Sequence, residues 1–343
     1  MSSTKIPVFL LTGFLGSGKT TLLNAALKTP TLANTAVVVN ELGEIGIDHL
    51  IIAQAIDNVV LLDAGCLCCV NTGALHETLA DLLARRGSGA LPPFERVIIE
   101  TSGASDPAPL LNVLLGHPLV TGGYALEATI CVIDAQHFMA AREKYPELDK
   151  QAALADRIVF AKTDLADPAP VEACLAQLNP DAELLRAASA AAAFSACARR
   201  HRPSAPLASM GPLRARFHSS GIRAFSFRLK DSVTWAGWSA WSRYVAEQFG
   251  AGLLRVKGLI KIAETGEIVL VDGVQGVFHR PQRFRDWPDT DHGNRLVCIA
   301  RDIEPADIAF TLPALYTEAG IQVRYSRQDI ERLHEQPLME AGP

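Results

Sequence analysis

Through residues 1–186, short apolar runs alternate with stretches of helical period. The runs fall at 7–11, 36–39, 59–62, 97–99, 129–133 and 158–160, each bounded by polar or turn-forming residues. Such runs suit strands buried on both faces of a parallel sheet. Between them, residues 73–86 place Leu75, Leu79, Leu82 and Leu83 on one side of a helix. Alternation of this kind predicts an α/β fold, with a mostly parallel sheet covered by helices. Ligands of these sheets bind beyond the carboxyl ends of the strands, so the polar residues after each run are the ones to examine.

The periodicity stops at residue 187. Residues 187–198 are rich in alanine, and Arg199, Arg200, His201, Arg202 and Pro203 follow. Residues 187–220 are therefore expected to be a linker. Beyond it, the pattern predicts a strand at 222–229 and a helix at 235–249 with Trp238, Trp241 and Val245 inward. A hairpin at 253–263 and 267–272 turns at Glu264-Thr265-Gly266. Strands at 275–279 and 295–301 and a helix at 305–318 complete a smaller α+β unit over 221–330, with 331–343 as a tail. Trp235, Trp238 and Trp241 are candidates for a partner surface, although core packing is the expected fate of at least two.

The turn after the first run is the most specific signal. Gly13-Phe14-Leu15-Gly16-Ser17-Gly18-Lys19-Thr20 fits G-x-x-x-x-G-K-[ST], with a strand before it and a helix from residue 20 after it. Glycines let the backbone wrap an anion at φ values that other residues resist. The helix N-terminus adds partial positive charge, the lysine reaches the β/γ-phosphates, and the Thr20 hydroxyl suits Mg²⁺. Gly13, Gly16, Ser17, Gly18, Lys19, Thr20 and Thr21 are thus candidates for binding a nucleoside triphosphate.

Four other strand ends carry polar groups. They are 40–48 with Glu41 and Asp48, 65–69 with its cysteines, 100–107 from Glu100 to Pro107, and Asp134-Ala135. A fifth, Ala161-Lys162-Thr163-Asp164, is similar to the N-K-x-D element that reads guanine. In that element the carboxylate accepts from the base N1–H and exocyclic amine, a donor pair that adenine lacks. Lys162 and Asp164 are the candidates for the base. Ala161 stands where the bracing asparagine would be.

Cys66, Cys68 and Cys69 lie within four residues. Thiolates so spaced favour zinc, then cobalt or nickel, with a fourth ligand from a carboxylate, a histidine or water. Packing and a redox switch are the alternatives. Cys131, Cys174, Cys197 and Cys298 stand apart and suit packing. His279 and His292 are lone loop histidines, a type that seldom binds metal.

Taken together, residues 13–24, 39–48, 65–69, 100–107 and 161–164 resemble the CobW-type GTPases, whose relatives include UreG and HypB. The resemblance implies a P-loop GTPase domain at 1–186 and a CobW C-terminal-like domain at 221–330. It implies hydrolysis of GTP coupled to delivery of a transition metal, zinc first and cobalt next, to a client metalloenzyme. Lys19, Glu41 and Glu100 then carry catalytic roles, with Thr20 on Mg²⁺ and Cys66, Cys68, Cys69 and Glu41 at the metal. Glu41, Asp48 and Glu100 are candidates for orienting the attacking water. The histidine-rich stretch of many members is absent.

Composition narrows the rest. The chain has 49% hydrophobic and 20% charged residues and a formal net charge of −5, which suits a globular protein and steers it toward neither nucleic acid nor an anionic membrane. Seven cysteines, an odd number with three clustered, do not make a disulfide framework. A short polar start before the first strand leaves no room for a signal peptide, so the expected location is cytoplasmic. The oligomeric state stays open, a homodimer included. The competing functions are a metal buffer or sensor that binds nucleotide without significant turnover, and a small-molecule kinase.

Overall fold

The computed structural model describes residues 5–39, 59–63, 72–187, 190–195, 221–229, 231–288 and 290–316. Seven strands form the first sheet: β1 (Ile6–Thr12), β2 (Thr35–Val39), β3 (Val59–Asp63), β4 (Arg96–Glu100), β5 (Tyr124–Asp134), β6 (Arg157–Ala161) and β7 (Glu183–Arg186). They lie in the order β3-β2-β4-β1-β5-β6-β7, and every pairing is parallel. The expected mostly parallel sheet is wholly parallel among the described residues. β7 escaped the sequence pattern because only Leu184 and Leu185 of its four residues are apolar.

The helices of this part are α1 (Lys19–Leu27), α2 (Thr72–Gly87), α3 (Ala108–Gly116), α4 (Pro118–Gly123), α5 (Phe138–Arg142), α6 (Glu147–Ala153), α7 (Ala169–Leu178) and α8 (Ala190–Ala193). Alternate residues of each strand face opposite layers. Val8, Leu10, Val97 and Ile99 pack with Leu75, Leu79 and Leu82 of α2 and Leu111 and Leu114 of α3. Phe9, Leu11, Val37 and Ile98 pack with Leu22, Leu23 and Ala26 of α1 on the other face. The start of the expected linker belongs to this second layer. Ala193 and Phe194 are buried, the Phe194 ring meets Phe9 edge-on at 5.9 Å, and Arg157 donates to the Ala193 and Ser195 carbonyls at 2.8 Å each.

The second sheet is antiparallel, ordered β11-β10-β9-β13-β8 with β12 beside β10. Its strands are β8 (Ile222–Arg228), β9 (Arg255–Lys261), β10 (Ile268–Val274), β11 (Val277–Phe278), β12 (Gln282–Phe284) and β13 (Arg295–Arg301). The expected strand at 275–279 shrinks to β11. Gln275 and Gly276 both take positive φ and turn β10 directly into it, Val274 facing Val277, as a two-residue hairpin requires.

Helix α9 (Trp235–Phe249) is capped by Thr234, whose hydroxyl accepts from the Gly237 N–H at 2.9 Å. Trp238 and Trp241 are buried in this core beside Phe278, and the Trp241 indole donates to Thr311 Oγ1 at 2.7 Å. Trp235 is half-buried against the same core, so Trp238 and Trp241 meet the core fate expected of at least two of the three. The last expected helix is shorter: α10 (Pro305–Thr311) passes into a 3₁₀ turn, Leu312–Tyr316, where Pro313 has no N–H to continue the ladder. Among the described residues, no helix is long and apolar enough to cross a membrane.

The second sheet docks near the amino ends of β5 and β6, away from the turn after β1. Ile222, Leu254 and Ile299 join Ile158, Leu175 and Leu178 in one apolar cluster. Asp156, just before β6, accepts the Thr129 N–H at 2.8 Å and a guanidinium N–H of Arg255 at 3.1 Å. Lys257 also donates to Asp156, and Arg255 to the Leu154 carbonyl. Burial pushes the Asp156 carboxyl up, but the Arg255 and Lys257 charges and the hydrogen bonds outweigh it and hold the group well below the usual carboxylate range. His279 Nε2 lies 3.1 Å from Asn112 Oδ1 of α3. Burial lowers its pKa.

Two outcomes follow from this junction. Arg255→Ala strands buried acceptors, so it should cost about 3 kcal/mol in chemical denaturation. Neutral His279 stabilises the fold above its ordinary value of 6.5, and that stability is lost as pH falls toward the lowered folded pKa. Wild type should therefore lose more stability than His279→Gln between neutral pH and mild acid, read as the difference in denaturation midpoints.

Candidate functional site

The turn between β1 and α1 needs glycine at three places. Gly13, Gly16 and Gly18 take φ of 140°, 70° and 98°, values an L side chain resists. A Cβ on Gly13 would lie 2.4 Å from the Val132 carbonyl oxygen of β5. The Ser17 side chain is buried in the turn and Thr21 is exposed on α1. Lys19 Nζ donates back to the Gly13 and Phe14 carbonyls at 2.9 and 3.2 Å. Its ammonium is thus held over the turn at the start of α1, where helix N–H groups and glycine backbone suit an anion.

The end of β4 closes one side. Glu100 is buried, and the Thr20 hydroxyl donates to its Oε1 at 2.8 Å. Thr101 Oγ1 donates to Thr12 Oγ1 at 3.1 Å and its N–H to the Leu11 carbonyl at 2.9 Å. Gly103 then passes so close that a Cβ there would meet Leu15 N and Cα at 2.6 and 2.7 Å. From below, buried Gln151 of α6 donates to the Gly103 and Ser105 carbonyls at 3.0 Å each. Lys150 pairs with Asp106 at 2.5 Å, and Asp106 Oδ1 accepts the Ala108 N–H at 3.0 Å at the start of α3.

The ends of β5 and β6 close the other side. Lys162 Nζ donates to the Gly16 carbonyl at 2.9 Å and to Asp134 Oδ2 at 2.7 Å. Lys162 has φ 58°, a left-handed conformation that costs a residue with a side chain about 1–2 kcal/mol. The Ala135 N–H to the Ala161 carbonyl, at 3.0 Å, and the Leu165 N–H to the Lys162 carbonyl, at 3.1 Å, hold that bend. Ala161 turns its methyl toward Gly18, 3.6 Å from where a Cβ on that glycine would lie. Asp164 is exposed in the turn that follows. Asp134 Oδ1 accepts the Gln136 and His137 N–H groups at 2.9 and 3.2 Å, and Oδ2 lies 2.9 Å from His137 Nδ1. Burial pushes this carboxyl up, but the bonds from Lys162, His137 and the backbone prevail and keep it below its ordinary value.

Gly13, Gly16, Ser17, Gly18, Lys19, Thr20, Glu100 and Lys162 therefore meet around one turn, with Thr21 and Asp164 at its rim. Glu41, Asp48, Cys66, Cys68, Cys69 and Cys197 lie outside the described residues. Among the described residues no group of three or more His, Cys, Asp or Glu gathers as a metal site. Cys131, Cys174 and Cys298 are buried free thiols, and burial pushes Cys131 and Cys298 up to about 12. His279 is engaged with Asn112, and His292 stacks on Trp287 at 6.3 Å. Sequence reasoning missed Gln151, whose signal is only a polar residue on an otherwise buried helix face. It noticed Asp134 as a strand end but not its partner.

Residues 7–186 match the family model described as CobW/HypB/UreG, nucleotide-binding domain. The chain belongs to that family. In this CobW/HypB/UreG member, residues 222–315 also match the model of the cobalamin synthesis protein cobW C-terminal domain. Zinc chaperone YjiA of Escherichia coli is 37% identical over 164 residues, 48% of this chain and 51% of that relative. The chain thus spans about half of YjiA's length in that match. Zinc chaperone CobW of Pseudomonas aeruginosa is 29% identical over 353 residues, covering 89% of this chain and 90% of that protein. The crystal structure of Zn(II)-bound YjiA GTPase from E. coli shares the fold with a TM-score of 0.65 at 24% identity, over 92% of this chain and 100% of that one.

The contact at Gly103 gives a direct test of this packing. Gly103→Ala forces Leu15 and the turn apart and should weaken nucleotide binding about tenfold, the low end of the ~1–3 kcal/mol overpacking range. Titration with a fluorescent guanine nucleotide checks it.

Proposed function

We propose that the chain is a GTP-hydrolysing metallochaperone that carries zinc, with cobalt next by ligand chemistry, and passes it to a client metalloprotein. The observation that carries this is the double closure of the glycine turn. Thr20 and Glu100 meet on one side, and Lys162 is tied to Gly16 on the other. The first side suits the phosphate end of a nucleotide and the second its base. Family membership and the zinc chaperones among its relatives supply the metal.

The roles follow from the chemistry. Lys19 would release the Gly13 and Phe14 carbonyls for the β/γ-phosphates. Thr20 and Glu100 offer adjacent hard oxygens, which fit Mg²⁺ directly or through water. When bound, Mg²⁺ supplies charge neutralisation on the phosphates. Lys162 and Asp164 would read guanine. The donor set Cys66, Cys68 and Cys69, with Glu41 as a further candidate, suits zinc as cargo. Glu41 and the segment around it follow β2, beside β4 in the sheet, so γ-phosphate contacts there can be linked to cargo affinity. A second function, a nucleotide-binding zinc buffer without significant turnover, is favoured by Ala161, which removes a brace from the base side.

Zinc affinity in the presence of GDP and of a non-hydrolysable GTP analogue separates the two. The chaperone should show a difference of about fivefold or more, a coupling of about 1 kcal/mol, and Cys68→Ala should abolish high-affinity binding. Equal affinity in both nucleotide states, with no metal-stimulated hydrolysis, would favour the buffer.

A further inference from the structure

We propose that Asp134 is a positioning residue for base recognition: it holds Lys162 against the phosphate loop, a task for which position 161 has no polar side chain. The inference rests on the guanine-nucleotide function above and adds a residue to it.

Three observations carry it. First, Asp134 is a fixed post. Its Oδ1 takes two backbone N–H groups, of Gln136 and His137, in the turn that opens α5. The carboxylate therefore cannot swing without undoing that turn. Its side chain is only 14% exposed, so the bond to Lys162 is shielded more than a surface pair. Second, the Lys162 ammonium divides its donors between this carboxylate and the Gly16 carbonyl of the loop. One side chain thereby joins β5, β6 and the glycine turn. Third, Ala161 turns only a methyl group toward Gly18, 3.6 Å from where a Cβ on that glycine would lie. From residues 161–164, Lys162 reaches the glycine turn with a side-chain hydrogen bond.

The consequence concerns selectivity more than strength. A lysine whose ammonium is fixed by two acceptors has its stem held in place, so a base packing on that stem, and on Asp164 two residues on, would meet a preset surface. Released from Asp134, Lys162 keeps a single bond to a carbonyl and its long stem regains rotamer freedom. The phosphate contacts of Lys19 and Thr20 do not pass through this link. Loss of the brace should therefore fall on guanine and spare adenine.

Asp134→Asn is the suitable variant, because the amide oxygen can still accept the two turn N–H groups while its NH₂ faces Lys162 and cannot accept. Binding of fluorescent GDP and ADP would be measured for wild type, Asp134→Asn, and Asp134→Asn with Ala161→Asn. Wild type should prefer GDP. Asp134→Asn should weaken GDP about tenfold, as expected for a lost charge-assisted bond, and change ADP less than about twofold. Adding Ala161→Asn should restore most of the GDP affinity through a new amide brace. Equal losses for GDP and ADP, unchanged selectivity, or a loss that Ala161→Asn leaves unrestored would each overturn the proposal. A wild-type chain that binds GDP and ADP alike would instead overturn the guanine function itself, and this inference with it.

Discussion

Two backbone contacts decide where everything else in the site can stand. The turn after β1 passes so near β5 that Gly13 would place a Cβ 2.4 Å from the Val132 carbonyl, and Gly103 passes equally close to Leu15 from the β4 side. A turn wedged between two strand ends in this way has little freedom to shift. Its left-handed glycines are held in conformations that other residues would strain to adopt. Lys19 and Thr20 follow at once because α1 begins where the turn ends. The wedge is also why Glu100 meets Thr20: β4 neighbours β1 in the sheet with Leu11 opposite Glu100.

The same wedge explains an asymmetry between the two sides of the turn. On the β4 side, the contacts are buried and partly backbone: Thr101 to Leu11, Gln151 to Gly103 and Ser105. On the β6 side, one lysine bridges a loop carbonyl and a carboxylate at the rim. Buried bonds in low dielectric are costly to break, whereas rim bonds compete with water. The β4 side of the turn is therefore its rigid side, and the β6 side is the less protected one.

Much of this was legible in the chain. The β1, β2, β4, β5 and β6 runs are apolar because both sheet faces are covered, and the glycine turn announces itself through residues with no side chain to accommodate. What hid was of two kinds. Elements of four residues are too short to show a period, as with β7 and α8, although Ala193 and the following Phe194 complete a layer. Long-range polar pairs gave no local sign at all. Asp156 and Arg255 are separated by 99 residues, and nothing near either one points to the other. Asp134 and Lys162 are 28 apart, and each looks like an ordinary strand-end charge. The Trp238 and Trp241 rings were read correctly as inward; a buried indole needs only one partner, and for Trp241 Thr311 provides it.

Helix α3 places a constraint on any communication between the nucleotide side and the second domain. It starts beside Asp106, which is tied to Lys150, and Asn112 along its length meets His279 of the second domain. At 1.5 Å of rise per residue a helix of this length transmits displacement with little internal give. Any shift of the 100–107 segment would have to break the Lys150–Asp106 pair or carry α6 along. Coupling needs an element with two stable arrangements, not merely a connected path. The Asp156, Arg255 and Lys257 cluster opposes such a change, because it ties the second sheet to the end of β6 that does not bear the site. Of the two polar links between the parts, the charged cluster is the stronger tie, and the Asn112–His279 contact, a single hydrogen bond, is the weaker.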